Sequence, residues 1–468
     1  MEKEKNVEDI NRNRECLDSV DLLLNNSEFY NKYNRKKIVA VFTLGCKVNH
    51  YETEAMIEKF VEKGYELADN HDYADVYIVN TCTVTNLSDR KSRQLIRKAK
   101  RINPKAIIGV VGCYAQVAPE EVAKISEIDV IAGTKDKYRI LELCEEFQAN
   151  KTKIVEVTDI MLNNKFDETE ITQTEGRTRA YIKIQEGCNN FCSYCIIPYA
   201  RGPIRSRELK NIIHEVNQLV KEGFKEMVLT GIHVASYGKD LGEERLIDVI
   251  EAIGEISGVE RIRLSSLEPT YVTLDFLQRV SVIKSFCPHF HLSLQSGSDT
   301  VLKRMNRKYT TKLYSDVVNS IRKYYPLAAI TTDIIVGFPG ETDEEYMQTV
   351  EFVKNIEFSD VHVFRYSPRT GTPAAERKDQ VDGNVKNDRS KALIEVVEIL
   401  NEKFNKKFID ETVEVLFEQE ENSCMIGHTM NYLKVRTEVP KNLKLQEGSI
   451  HKILIKKNNK SLLIGILK

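Results

Sequence analysis

The chain has no run approaching the 18–20 consecutive apolar residues that a bilayer span requires, and this excludes a helical membrane protein. Its first residues, MEKEKNVEDINRNRE, lack the apolar core of a secretory signal, so a cytoplasmic location is expected. Charge of one sign is also lacking. A net charge of −2 over 468 residues means that any nucleic-acid footprint must be local rather than global. With 41% hydrophobic and 29% charged residues the composition is that of an ordinary globular protein, and the length allows two to four domains. Cysteine is plentiful. Ten thiols in a reducing compartment are expected to serve as metal ligands or reactive groups rather than disulfides, and their placement decides between these roles.

Residues 1–36 are polar, with one apolar patch at Val20–Leu24, and read as an extension. From Lys37 to about residue 148, short β-rich runs alternate with helical stretches. The runs IVAVFTLGC, ADVYIVNTC and AIIGVVGC end at Cys46, Cys82 and Cys113, and DVIAGT continues the series. This alternation predicts a parallel sheet in a doubly wound α/β domain, closed by the helix KYRILELCEEF. Residues 149–179 include a polar, aperiodic stretch and read as a linker. From Ala180 to about residue 385, six further strand–helix units (AYIKIQ, EMVLTG, RIRLSS, HFHLSLQ, ITTDIIVGF, VHVFRYS) predict a parallel (β/α)6 partial barrel. Residues 386–411 form one amphipathic helical stretch, and residues 412–468 carry five short strands, the pattern of a small OB-like barrel.

The segment GCNNFCSYCIIPYARG places Cys188, Cys192 and Cys195 in a C-x3-C-x2-C run just after the first strand of the second region. Iron–sulfur cubanes take thiolates from such tight runs, and three ligands leave one iron open for a further group. The competing reading is a zinc knuckle with a distant fourth ligand such as His233. Cys46, Cys82 and Cys113 form a second set. Each ends a predicted parallel strand, so all three emerge at the carboxyl edge where a doubly wound sheet binds its ligand. Cys16, Cys144, Cys287 and Cys424 have no such placement and read as bystanders.

The Cys188–Cys195 run resembles the radical SAM superfamily, and the two halves together resemble its methylthiotransferase family over most of residues 37–468. TLGCKVNHYETE and EGCNNFCSYCIIPYARGPIRSR are most similar to the MtaB branch. The resemblance implies a [4Fe-4S] cluster on Cys188, Cys192 and Cys195 and a second on Cys46, Cys82 and Cys113. It also implies S-adenosylmethionine at the open iron of the first, with Thr230, Gly231, Glu268, Gln295, Ser296, Asp333, Gly337 and Pro339 along the cofactor. It identifies the C-terminal barrel as a TRAM domain and implies methylthiolation of C2 of N6-threonylcarbamoyladenosine at tRNA position 37. Isopentenyladenosine-37 and a ribosomal-protein aspartate are the substrates of sister branches. The implied partners are the tRNA anticodon loop and an electron donor such as flavodoxin or ferredoxin. Two departures stand out: His50 replaces the family's usual Gln, and the extension of some 36 residues is unusual.

Three candidate RNA contacts follow. RKSRQLIRKAKR (90–101) holds seven basic residues and no acid, and reads either as a phosphate clamp or as a solvated helix face. Arg201, Arg205 and Arg207 could hold the anticodon loop or pair with Glu208 and other acids. Residues 413–468 carry nine Lys or Arg against six acids, with Tyr432 and Tyr199 as candidate stacking residues. A non-catalytic iron–sulfur or zinc RNA-binding module is the remaining alternative.

Overall fold

The computed structural model describes residues 23–68, 72–169, 178–242, 244–440 and 445–468; Cys16 and most of the N-terminal extension lie outside them. The chain forms two compact units. The first comprises residues 1–171 and 196–203, and the second residues 172–195 and 204–468.

The first unit is built on a six-stranded sheet, all parallel. Its strands are β1 (Ile38–Thr43), β2 (Glu66–Leu67), β3 (Val76–Thr81), β4 (Ile107–Gly112), β5 (Val130–Ala132) and β6 (Ile154–Glu156), in the order β2-β1-β3-β4-β5-β6. The strands β3 and β4 are buried along their whole length, as a sheet covered on both faces demands. Period-two alternation divides their side chains between two cores. Val39, Val41, Val76, Ile78 and Val130 enter one. Ala40, Phe42, Tyr77, Val79 and Ile131 enter the other. The chain leaves β1 toward β2 on one side and β3 on the other, so the strand order reverses between β1 and β3, the crevice where doubly wound sheets bind ligands. The two- and three-residue strands β2 and β6 lie outside the runs that the sequence pattern marks as strands.

The basic segment 90–101 lies on the helix Asn86–Ile102, whose N-cap Thr85 accepts from the backbone N–H of Ser88. Three of its cations face carboxylates: Arg93 with Glu121, Arg97 with Glu127 and Lys100 with Asp129. Lys98 stands over the Phe42 ring. Much of the charge run is therefore matched within the fold, which favours the solvated-face reading.

In the second unit, β7 (Arg179–Glu186), β9 (Glu226–Gly231) and β10 (Arg261–Leu264) pair in parallel, with the two-residue β8 (Arg205–Ser206) antiparallel on the outer edge of β7. The strands β11 (His289–His291), β12 (Ala329–Val336) and β13 (Asp360–Arg365) form a second parallel set. Parallel bridges Ile262–Phe286 and Leu267–Leu292 continue β10 toward β11. The six long strands thus follow one another in chain order as a (β/α)6 partial barrel, with helices on the outside burying Ile182, Leu229, Ile262, Phe290, Ile330 and Ile334.

The connecting helix runs Gly383–Lys406 rather than to residue 411. Asp382 caps it by accepting from Asn384 N–H. It stops early because Asp410 takes φ +64° and gives its N–H to Ile455 O, the first bond into the terminal barrel. That barrel is closed, with β14 (Thr412–Glu421), β15 (Cys424–Thr429), β16 (Lys434–Glu438), β17 (Ile450–Asn459) and β18 (Leu462–Leu467) in the order β14-β15-β16-β18-β17, and Phe404 and Phe408 of the helix end fill its core. Tyr432, a candidate for RNA stacking or for packing, stacks on His428 and His289 beneath the Arg179 and Arg263 guanidinium groups, where the terminal barrel meets the partial barrel.

Candidate functional site

The strand ends of the first unit bring three thiols together. Cys46 is the N-cap of the helix Lys47–Glu62, Cys82 follows β3 directly, and Cys113 follows β4 and opens a one-turn helix. Close approach is built in. Gly45 has φ +110°, and a Cβ there would stand 2.8 Å from Cys82 Cβ and 3.0 Å from its sulfur. Gly112 has φ +94°, with Thr81 O only 2.7 Å from where its Cβ would be. Only glycine fits either turn.

Burial pushes the Cys113 thiol up to about 12, against the pull of the Arg201 guanidinium, and the nearby Cys82 and Cys46 add to the rise. Burial also raises Cys82, with Cys46 contributing. Thiols that resist ionisation when alone become thiolate ligands when a cation lies among them.

Around this triad lies a network of buried polar groups. Arg201 Nε donates to Cys113 Sγ at 3.2 Å, and its two terminal nitrogens reach Glu52 Oε1 at 2.6 Å and Asn49 Oδ1. Lys137 Nζ lies 3.0 Å from the same Glu52 oxygen. Asn49 Nδ2 donates to Leu44 O and Thr81 O, tying the turns that carry Cys46 and Cys82. Arg201, Glu52 and Asn49 are fully buried. Of the two readings of the arginine set, the structure favours pairing with acids: Arg201, Arg205 and Arg207 are all buried, Arg201 pairs with Glu52 and Arg207 with Glu215, while Glu208 pairs with Lys210. None of the three is open to an RNA backbone. Sequence reasoning missed Asn49, Glu52 and Lys137 because their partners are remote in the chain. A Glu and an Asn facing inward on the helix after Cys46 were the only local signal.

The second triad sits in the second unit, in the loop after β7. The loop is pinned by Ser193 N–H to Met305 O, Ser193 Oγ to Arg304 O, Asn306 Nδ2 to Phe191 O and Ala374 N–H to Ser193 O. Phe191 adopts φ +45°, a conformation held by this surrounding structure. Burial lifts the Cys188 thiol to about 11, opposed by the Asn190 N–H. Arg307 Nη1 donates to Cys192 Sγ at 3.2 Å, its Nε donates to Tyr309 OH, and its other terminal nitrogen lies 3.8 Å from Glu268. Each triad thus has one buried guanidinium against one of its sulfurs. Arg307 follows an ordinary helix and gave no local signal.

Each triad offers three thiols, the donor set of a cubane with one iron left open. His233, the proposed fourth zinc ligand, is engaged elsewhere: its ring nitrogens contact Ser236 Oγ at 2.5 Å and Glu268 Oε2 at 2.8 Å.

Of the expected cofactor contacts, Glu268 lies beside the second triad through Arg307. Burial alone would raise its carboxyl, but the hydrogen bond with His233, the Arg307 charge and the Asn190 amide outweigh it and hold it down at about 2. A depressed folded-state value stabilises the fold above the unfolded carboxyl range near pH 4.5, and this contribution disappears as the pH falls toward 2. The acid-unfolding curve of Glu268→Gln is therefore expected to converge on that of the wild type between pH 4.5 and 2, having lain below it at pH 7; denaturant melts across this range check it.

Thr230 is buried at the end of β9. A Cβ on Gly231 would meet Gln185 O at 2.9 Å. Gln295 takes φ +73° and its N–H reaches Asp333 O, while the Ser296 hydroxyl is turned to Thr349 and Ser298. Gly337, at φ +69°, gives its N–H to Glu341, and Pro339 lies in the turn that follows. Asp333 faces two imidazoles.

Residues 38–133 match the family described as Uncharacterized protein family UPF0004, and residues 182–353 match the Radical SAM superfamily. The chain is 46% identical over 403 residues to the threonylcarbamoyladenosine tRNA methylthiotransferase MtaB of Bacillus subtilis (strain 168), covering 85% of this chain and 89% of that protein. It is 38% identical to the tRNA-2-methylthio-N(6)-dimethylallyladenosine synthase of Clostridium tetani (strain Massachusetts / E88), covering 90% and 93%. Among solved structures, the radical S-adenosylmethionine methyltransferase TsrM from Kitasatospora setae superimposes with a TM-score of 0.52 at 16% identity, over 72% of this chain and 76% of that one, and so shares the fold.

The partial barrel with its three-cysteine loop defines a radical SAM enzyme. With the three-cysteine sheet edge beside it in the sequence, the chain belongs to the methylthiotransferase family of that superfamily, MtaB type. The cofactors of that family are S-adenosylmethionine and [4Fe-4S] clusters, and the donor sets described above fit them. Among the described residues, no helix is long and apolar enough to cross a membrane.

Proposed function

We propose that this enzyme adds a methylthio group to C2 of N6-threonylcarbamoyladenosine at position 37 of tRNA, with Cys188, Cys192 and Cys195 holding one [4Fe-4S] cluster and Cys46, Cys82 and Cys113 the other. The observation that carries the reading is the presence of two separate cysteine triads, each with a guanidinium donating to one of its sulfurs. When bound, the clusters supply the electron that cleaves S-adenosylmethionine and the site that holds the sulfur to be transferred.

The protein's own residues bind, orient and shield. Arg307 and Arg201 donate N–H groups to Cys192 and Cys113, and N–H···S bonds of this kind tune cluster potential. Glu268, held ionised by His233 and Arg307, presents a carboxylate beside the radical SAM loop, suited to the ammonium group of a methionine moiety. The strained turn at Gln295 and the tight turn at Gly337 line the carboxyl ends of β11 and β12, where a parallel barrel binds its ligand. The cluster electrons come from a small reductant of the flavodoxin or ferredoxin kind. The substrate is taken as the anticodon loop of tRNA, whose unstacked bases are accessible to such a site.

Two measurements test the reading. Anaerobically reconstituted enzyme is expected to hold about eight irons, and a variant with either triad changed to alanine about four. Nucleoside analysis of tRNA from a strain lacking the gene, with no redundant enzyme, is expected to show loss of the methylthio-threonylcarbamoyl nucleoside. Its persistence would sink the proposal, and loss of the methylthio-isopentenyl nucleoside instead would transfer the assignment to the sister activity.

A further inference from the structure

Three adjacent strands of the partial barrel place a second kind of donor set together, distinct in its residues from both triads. His291 ends β11, Asp333 lies in β12 and His362 in β13. The parallel register aligns His291 with Thr331 and Asp333 with His362, so all three side chains share one face. It is the face opposite that of Ile330 and Ile334, which pack on the helices.

His291 Nε2 lies 3.3 Å from Asp333 Oδ2, and His362 Nδ1 lies 3.1 Å from Asp333 Oδ1. One nitrogen from each imidazole and one carboxylate oxygen all fall within 4.8 Å of one another. Ligands about 2.1 Å from a zinc-sized ion stand roughly 3.0–3.4 Å apart, the range in which both imidazole–carboxylate contacts fall. The other nitrogen of His291, Nδ1, lies 2.9 Å from Thr331 Oγ1, the outer contact that fixes the ring orientation of a metal-bound histidine. His362 is more than half exposed, which leaves an entry path for an ion.

We propose that His291, Asp333 and His362 form a three-ligand site for a borderline divalent transition-metal ion, with Thr331 as the outer-shell partner of His291. Two nitrogens and one carboxylate oxygen select zinc, ferrous iron, cobalt or nickel over magnesium and calcium, and three protein ligands leave coordination positions open. Both imidazoles already contact the Asp333 carboxylate, so the geometry is prepared before binding. The proposal is independent of the substrate assigned above.

The test is zinc uptake by the full-length holoenzyme with both clusters loaded, followed by desalting and metal analysis. The wild type is expected to retain one more zinc per chain than His362→Ala, with the iron content equal in both. His362 is exposed, so this variant leaves the fold intact. Thr331→Val, which removes the outer contact to His291 together with the longer one to His289, is expected to weaken zinc binding about tenfold in a calorimetric titration. Equal zinc content in wild type and His362→Ala overturns the proposal, whether both retain zinc or neither does. A gain of zinc matched by loss of iron and unaffected by His362→Ala also overturns it, because the cysteines would then be the ligands.

Discussion

Replacing Arg201 by methionine is expected to destabilise the first unit by about 3 kcal/mol, the lower end of the cost of breaking a buried ion pair. The side chain has no exposed surface, so no water replaces its contacts. Its guanidinium is shared among Glu52, Asn49 and Cys113. Methionine keeps much of the volume and supplies none of the donors. Glu52 is not left wholly uncompensated, since Lys137 remains 3.0 Å away, and this places the loss at the lower end of the range. For a unit of this size about 3 kcal/mol corresponds to a fall of roughly 10 °C in its unfolding transition, readable by calorimetry. Arg201→Lys retains the charge beside Glu52 but not the planar fork, and is expected to fall between the two. A spectroscopic readout separates a merely structural role from one at the site. Losing the N–H···S bond to Cys113 is expected to make the potential of the cluster held by Cys46, Cys82 and Cys113 more negative. An unchanged potential in Arg201→Met would limit Arg201 to stability.

Glu226→Ala is expected to cost about 3–5 kcal/mol in the second unit. Glu226 is fully buried between Arg263, at 2.6 Å, and Arg261, at 3.5 Å. Those arginines also hold the terminal barrel. Arg261 donates to His428 O and Glu414 O, and Arg263 to Met430 O and Thr429 O. Removing the one carboxylate leaves two guanidinium groups buried without their counter-charge and loosens the surface on which the barrel sits. Limited proteolysis is therefore expected to release the barrel segment from Glu226→Ala faster than from the wild type. Removing both sides of an ion pair avoids the stranded charge, so Glu226→Leu combined with Arg263→Met is expected to recover much of the loss. A double variant no more stable than Glu226→Ala would show that the arginine–carbonyl bonds, rather than charge compensation, carry the docking.

Both predictions concern residues whose roles no local pattern discloses. Arg201 stands in a sequence that reads either as an RNA contact or as a partner for acids, and the structure buries it against Glu52. Its segment, residues 196–203, packs in the first unit although the chain on both sides belongs to the second. Arg261 and Arg263 sit in RIRL, a strand whose alternation would put the arginines toward water. The terminal barrel covers that face instead and supplies carbonyls to them. The basic helix 86–102 likewise reads equally as a phosphate clamp or a solvated face until Glu121, Glu127 and Asp129 from other segments are seen to face it.

What the sequence determined by itself was everything that rests on periodicity and on covalent spacing. Runs such as YIVNTC and IIGVVGC announce buried parallel strands, and a cysteine at the end of each must emerge on one edge of the sheet, because parallel strands all point the same way. Cys188, Cys192 and Cys195 are close in the chain, so their convergence needs no long-range information. Only the tertiary structure decided which charges are paired and which buried polar atoms meet: Arg201 with Glu52 and Cys113, Arg307 with Cys192 and Glu268, and His291 with Asp333 and His362. Such contacts join segments tens to more than a hundred residues apart, and their energy depends on distance and desolvation, quantities that exist only once the chain has folded.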